Sequence, residues 1–97
     1  MEKKYTAFTD TLFEAILTLK SVEECYNFFE DICTVKEIQT LSQRLEVAKL
    51  LRKNKSYTEI SKETGASTAT VRCVKQCFTY GTGGYQAVLQ RLEEGEN

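Results

Sequence analysis

SYTEISKETGASTATVRCVKQCF, running from Ser56 to Phe78, reads as a helix, a tight turn and a second helix. Ser56 caps the first helix, and Glu59 three residues on completes a capping box. Ile60 is its inward apolar position, and Ser61 beside it is small, so a second helix can cross close by. Gly65 follows Thr64 and can take the left-handed backbone that ends a helix. Ser67 caps the next helix. There Val71, Val74 and Phe78 fall at i, i+3 and i+7, one inward stripe. At 100° per residue from Val71, Ala69, Arg72, Cys73 and Gln76 lie on the outward side, with Thr68 at the N-terminal rim. This is the pattern of a helix-turn-helix whose second helix enters the DNA major groove. The alternative is an ordinary helical hairpin inside an all-α domain.

Upstream, the apolar spacing predicts a first helix over 5–19, with Tyr5, Phe8, Leu12, Ala15, Ile16 and Leu19 on one stripe and Phe13 and Leu17 beside it. Ser21 with Glu24 predicts a capping box for a second helix to about Cys33, and Thr34 with Glu37 a third, opening a long helix. Ile38, Leu41, Leu45, Ala48 and Leu51 are the expected inner face of that helix, widened by Val47 and Leu50. It should end near Asn54, which tolerates the left-handed position. Downstream, the glycines at 81–84 break the chain, and Tyr85, Val88, Leu89 and Leu92 start a last helix that fades into Glu93–Asn97. The expectation is one all-α domain over 1–97 of about six helices: N-terminal helices to about 53, a helix-turn-helix over about 56–80, and a C-terminal helix over about 85–94. The first two helices carry more apolar surface than so short a chain can bury, which predicts a homodimer through the N-terminal helices; the alternative is a compact monomer with a rich core.

The net charge of −1 argues against nucleic acid until it is divided along the chain. Residues 1–39 carry −4, residues 40–80 carry +5 and residues 81–97 carry −2. The positive charge falls in and just before the helix-turn-helix, where phosphates would be met. A solvated charged face is the bland alternative. Neither a signal peptide nor an apolar run of the roughly 18 residues of a membrane span is evident, so the expected compartment is the cytoplasm, with no membrane partner.

The chain has four cysteines and no histidine. Cys25 and Cys33 are eight apart and Cys73 and Cys77 four apart, without a C-x2-C knuckle, so no metal site is expected. Cys25 and Cys33 read as small core residues. Cys73, on the outward side of its helix, is either a redox-sensitive thiol or a passive small residue.

No enzyme is expected. GTGG at 81–84 lacks the strand before and the Lys-Ser/Thr after that a nucleotide loop needs. Glu23, Glu24, Glu30 and Asp31 read as a solvated face rather than an acid–base pair. For double-stranded DNA the candidates divide by role. Lys53, Lys55 and Lys62 suit phosphates, Tyr57 and Thr58 add backbone hydrogen bonds, and Ser67 caps and can also donate to a phosphate. Thr68, Ala69, Arg72 and Gln76 suit base edges: Arg for guanine, Gln for adenine, methyls for thymine. Paired recognition helices in a dimer would read two half-sites about one DNA turn apart. The function expected is sequence-specific transcription regulation by a homodimer through the recognition helix 67–80. The rival is a protein-interaction adaptor that uses the helix-turn-helix as a packing unit, and a redox-sensing switch through Cys73 is a variant of the first.

From about Thr34 onward the chain resembles the Trp repressor-like family, in particular its small YerC/YecD-type members. The carriers are LSQRLEVAKLL (Leu41–Leu51), YTEISKETGASTATV (Tyr57–Val71) and GTGGY (Gly81–Tyr85). The resemblance implies an intertwined all-helical homodimer that represses transcription, with N-terminal helices exchanged between subunits. It also implies a tryptophan-like co-repressor between the long central helix and the recognition helix. One ligand-binding arginine of the family falls on Arg44; another falls on Cys73, which lacks the guanidinium fork that holds a carboxylate. No cofactor is therefore expected, and Arg44 stands either as a ligand residue, through which a ligand-sensing switch would be a variant of the DNA-reading function, or as a structural residue that pairs with a carboxylate across the dimer.

Overall fold

The computed structural model describes residues 5–95, and over these the secondary structure is helical throughout: α1 (Ala7–Ile16), α2 (Val22–Ile32), α3 (Val35–Arg52), α4 (Tyr57–Thr64), α5 (Thr68–Tyr80) and α6 (Gly84–Gly95). The expected all-α fold of about six helices is the observed one. Glu96 and Asn97, the end of the expected C-terminal fade, lie outside the described residues. The chain divides into two compact units, Met1–Ile38 and Gln39–Asn97.

In the first unit α1 starts on a Thr6 cap whose Oγ1 accepts from the Phe8 N–H (3.2 Å). It ends earlier than its apolar pattern predicts. The Thr18 hydroxyl donates to the Ala15 carbonyl at 2.6 Å, and the Thr18 and Leu19 N–H groups reach back three residues instead of four. The last turn tightens and the helix stops, because a side-chain donor competes for a helix-end carbonyl. Ser21 caps α2 through the Glu24 N–H (3.1 Å). The expected reciprocal half of that box moves by one residue: the Glu24 carboxylate accepts from Lys20, not Ser21 (3.0 Å). Neither α1 nor α2 has a buried residue; Phe8 is 85% and Leu17 84% exposed. Cys25, expected in a core, is exposed, and Cys33 is half-buried. Thr34 and Glu37 form the predicted capping box at the start of α3 (2.8 and 3.1 Å). The backbone bond from Thr34 holds the Glu37 carboxyl below its ordinary value.

The second unit holds the core. Val47, Ala48, Leu50 and Leu51 of α3 bury together with Ile60, Ala66, Val71, Val74 and Leu89, and Phe78 and Tyr85 pack against them. The inner face predicted for α3 is thus out of phase at its upstream end. Leu41 and Leu45 are exposed, while Val47 and Leu50, expected only to widen the face, are buried. The apolar residues of α3 run around more than one side, so period alone does not choose which side meets Ile60, Val71 and Leu89. After α3, Asn54 takes a positive φ of 61°. The Asn54 N–H donates to the Leu51 carbonyl (3.0 Å) and the Lys55 N–H to the Leu50 carbonyl (3.1 Å). That pair is a Schellman ending with asparagine in the left-handed seat.

Long-range polar ties complete the second unit. Gln43 Nε2 donates to the Thr64 carbonyl (3.2 Å), fastening α3 to the end of α4. Arg52 donates through Nε to Glu93 Oε2 (2.6 Å) and through Nη1 to Gln86 Oε1 (2.8 Å), and Gln86 Nε2 donates to the Phe78 carbonyl (3.3 Å). Arg52 thereby holds α6 against the end of α3 and the end of α5.

Candidate nucleic-acid interface

The interface is built on local rules. The Ser56–Glu59 capping box is fully formed: the Glu59 N–H donates to Ser56 Oγ and the Ser56 N–H to Glu59 Oε1, both at 3.2 Å. The backbone bond from Ser56 leads the causes that lower the Glu59 carboxyl's pKa. α4 ends where Gly65 turns left-handed (φ 76°) and its N–H donates to the Ser61 carbonyl. Thr64 secures the corner twice, donating to the Ile60 carbonyl (2.7 Å) and accepting from the Ala66 N–H (3.1 Å). Ala66 is then buried between the helices. Ser67 starts α5 by accepting from the Thr70 N–H, and its hydroxyl donates to Thr70 Oγ1, each at 3.1 Å. Three residues, Gly65 to Ser67, join α4 to α5, the connection a helix-turn-helix requires.

α5 buries Val71 and Val74 and half-buries Phe78, as its stripe predicts. The other side is open. Thr68, Ala69, Arg72 and Gln76 are all exposed, as are Ser67 at the cap, Lys62, Tyr57 and Thr58 on α4, and Lys53 and Lys55 in the turn before it. The structure therefore leaves every one of these candidate contacts accessible to a partner. Ser67 serves first as a cap, since its hydroxyl already donates to Thr70. Lys55 lies 3.8 Å from Glu59, an exposed i,i+4 pair that costs little to open.

Arg52 contributes to the +5 of residues 40–80, but Glu93 of α6 occupies it. The hydrogen bond from Arg52 holds the Glu93 carboxyl below its ordinary range. The partners are 41 residues apart, and no spacing rule could have paired them.

Beside the outward face of α5 lies a hollow of about 380 Å³ lined by Arg44, Ala69, Thr70, Cys73, Val74, Cys77 and Tyr85. A second, of about 550 Å³, is lined by Leu45, Cys77, Gly81, Thr82, Gly84, Tyr85 and Val88. The first joins the central helix to the recognition helix, where the resemblance places a co-repressor. Its donor set does not suit an amino-acid carboxylate clamped between two cations. Arg44 supplies the one guanidinium, and the lining from α5 supplies two thiols. No spacing in the sequence joins Cys77, Thr70 or Tyr85 to Arg44, because they lie on different helices from it. Among the described residues no three side chains of histidine, cysteine, aspartate or glutamate gather as a metal site, and no helix is long and apolar enough to cross a membrane.

The Trp repressor protein family model matches residues 8–93. The uncharacterized protein YerC of Bacillus subtilis (strain 168) is 55% identical over 87 residues, which cover 90% of this chain and 84% of that protein. Two solved structures superpose closely. A TrpR like protein from Eubacterium eligens has a TM-score of 0.88 at 51% identity, covering 91% of each chain. A putative Trp repressor from Staphylococcus aureus has a TM-score of 0.89 at 50% identity, covering 92% of this chain and 89% of that one.

Proposed function

This chain belongs to the Trp repressor family, with YerC-type relatives, and from that premise we propose that it is a homodimeric transcription repressor reading a two-fold symmetric operator through the helix that follows Ser67. The family is one of DNA-binding regulators and not of enzymes. The observation that carries the reading is the α4–Gly65–α5 corner. It is closed by local hydrogen bonds, and it leaves Thr68, Ala69, Arg72 and Gln76 exposed along one side of α5. Lys53, Lys55 and Lys62, with Tyr57 and Thr58, are exposed on α4 and in the turn before it and would contact phosphates.

Dimerisation draws support from the first unit. Phe8, Phe13, Leu17, Val22, Tyr26, Ile32 and Val35 all stand exposed in the single chain, more apolar surface than a monomer ordinarily leaves in water. A second copy would cover it, and a dimer carries two recognition helices for two half-sites. Such a protein works beside the chromosome in the cytoplasm. The Arg44 hollow does not match a tryptophan clamp, so operator binding proceeds without tryptophan in this reading.

Selection of the purified full chain on a random DNA pool, without added ligand, tests it. Enrichment of a two-fold symmetric site is the expected result. Arg72→Ala should flatten the preference at the base pair it reads, by the ~1–3 kcal/mol of a bidentate contact, or roughly 5-fold to 160-fold. Lys62→Ala should weaken all sequences alike and lower the salt slope by about one counterion. Equal losses on selected and random DNA for Arg72→Ala would remove it from the base-reading set. Light scattering at micromolar concentration should give a dimer, and a clean 11.1 kDa monomer would refute that part.

A further inference from the structure

Cys73 and Cys77 stand four residues apart on α5, so they share one face of the helix. Both are free thiols and both are exposed. Both line the same hollow of about 380 Å³, and neither belongs to the buried stripe of Val71 and Val74 or to the set assigned to base edges and phosphates. From this juxtaposition we propose that Cys73 and Cys77 form a dithiol site on the recognition helix that captures a monosubstituted trivalent arsenical, a soft centre that takes two thiolates.

Geometry selects this chemistry over the two obvious rivals. Neighbours at i and i+4 have Cβ atoms about 5–6 Å apart. A disulfide needs about 3.5–4.5 Å between its Cβ atoms, so a direct bond would have to distort the helix. A bridging atom adds a second sulfur bond, each about 2.3 Å for a thiolate on a metal-like centre, and closes the gap without moving the backbone. A four-coordinate zinc ion, or a centre wanting three protein ligands, is not served: no third cysteine, histidine or carboxylate joins the pair among the described residues. A centre that already carries one organic group needs only two sulfurs. Ala69, Val74 and Tyr85 in the same hollow offer apolar surface for that group.

The step balances without an oxidant. An arsonous acid, RAs(OH)2, reacts with the two S–H groups; two As–S bonds form, two As–O bonds break, and two molecules of water leave. Arsenic stays trivalent throughout. Ala69 and Arg72, assigned to base edges, stand beside the thiol pair on α5, so the bridged helix carries an organic group where it would enter the groove. That consequence for DNA rests on the repressor reading above; the capture itself does not.

Phenylarsine oxide, which hydrates to phenylarsonous acid, is the probe, used on the full-length chain. Intact mass under non-denaturing conditions should show one phenylarsenic group per chain, and thiol titration should fall from four to two. The adduct should resist excess monothiol and yield to a vicinal dithiol. It should persist in the Cys25→Ala/Cys33→Ala double variant. It should be lost to monothiol in Cys73→Ser and in Cys77→Ser, each shown by circular dichroism to keep its helix content. Absence of the adduct, its survival in either serine variant, or its loss from the double alanine variant overturns the proposal. In a parallel arm, the adduct should lower affinity for the selected operator at least tenfold, restored by dithiol. An adduct that leaves operator affinity unchanged overturns the regulatory half. A protein that captures the probe but selects no DNA sinks the repressor reading and leaves the site standing.

Discussion

Two glycines of the second unit should fail on substitution for opposite reasons, and the contrast is measurable. Gly65 sits at φ +76°, with nothing within 4 Å of the place where a Cβ would stand. Space is not its constraint; the left-handed backbone is. An L-residue forced there costs about 1–2 kcal/mol. Asparagine visits that region readily, as Asn54 does in this chain at φ 61°. Gly81 is the reverse case. Its φ of −81° suits any residue, but a Cβ would lie 2.3 Å from the Cys77 carbonyl oxygen and 3.2 Å from its carbon. Ordinary contact starts at 3.4 Å, so the backbone must give by about 1 Å. What yields is the last bond of α5, from the Gly81 N–H to the Cys77 carbonyl (2.9 Å). Losing it costs about 1 kcal/mol, and the misfit brings the total to about 2–3 kcal/mol. Gly65→Ala should therefore lose about 1–2 kcal/mol and Gly65→Asn recover most of it. Gly81→Ala should lose about 2–3 kcal/mol, and Gly81→Asn should recover nothing. Urea unfolding followed by circular dichroism at one fixed protein concentration reads the series, because dimerisation makes the midpoint concentration-dependent. In a thermal scan each kcal/mol appears as about 4–8 °C. Gly65→Asn as unstable as Gly65→Ala, or Gly81→Ala at the wild-type midpoint, would refute the reasoning.

Ser61 carries a buried hydroxyl without a hydrogen-bond partner among the described residues, so Ser61→Ala should stabilise by about 1 kcal/mol, combining relief of that orphan with better helix propensity; a destabilised variant in the same urea assay would show a partner for it. Glu37 and Glu59 have pKa values lowered by their cap bonds, so each binds its proton more weakly folded than unfolded. Their contribution is present above the ordinary carboxylate range and is lost as pH falls through the depressed folded values. Glu37→Gln and Glu59→Gln, which keep a side-chain acceptor but cannot titrate, should flatten the acid limb of the stability–pH curve; an unchanged limb in the double variant would assign the acid sensitivity elsewhere.

The parts of this molecule legible in its sequence are those whose partners lie within about four residues. Two capping boxes, the left-handed seats at Asn54 and Gly65, and the inward stripe of α5 follow from helical period and side-chain reach alone. The accessibility of Thr68, Ala69, Arg72 and Gln76 follows from the same period once Val71 and Val74 are taken as inward. Where a local competitor enters, the period misleads. The Thr18 hydroxyl ends α1 before its apolar pattern does, and Lys20 takes the Glu24 carboxylate from Ser21.

The tertiary structure decided what the chain's own periodicity left degenerate. The apolar residues of α3 span more than one face. Packing against Ile60, Val71 and Leu89 selects Val47 and Leu50, and it leaves Leu41 and Leu45 exposed. Arg52 read as one more positive charge near the DNA-facing helices until α6 brought Glu93 to it. The hollow that sets Arg44 beside Cys73, Cys77 and Tyr85 exists only because α3, α5 and the start of α6 converge there. Sequence alone determined the order of the helices, most of their caps and the outward face of the recognition helix, because backbone geometry repeats every 3.6 residues and side chains reach only a turn or so. Folding determined the buried face of α3, the fate of Arg52 and the company of the two thiols, because those depend on which distant segments are brought together.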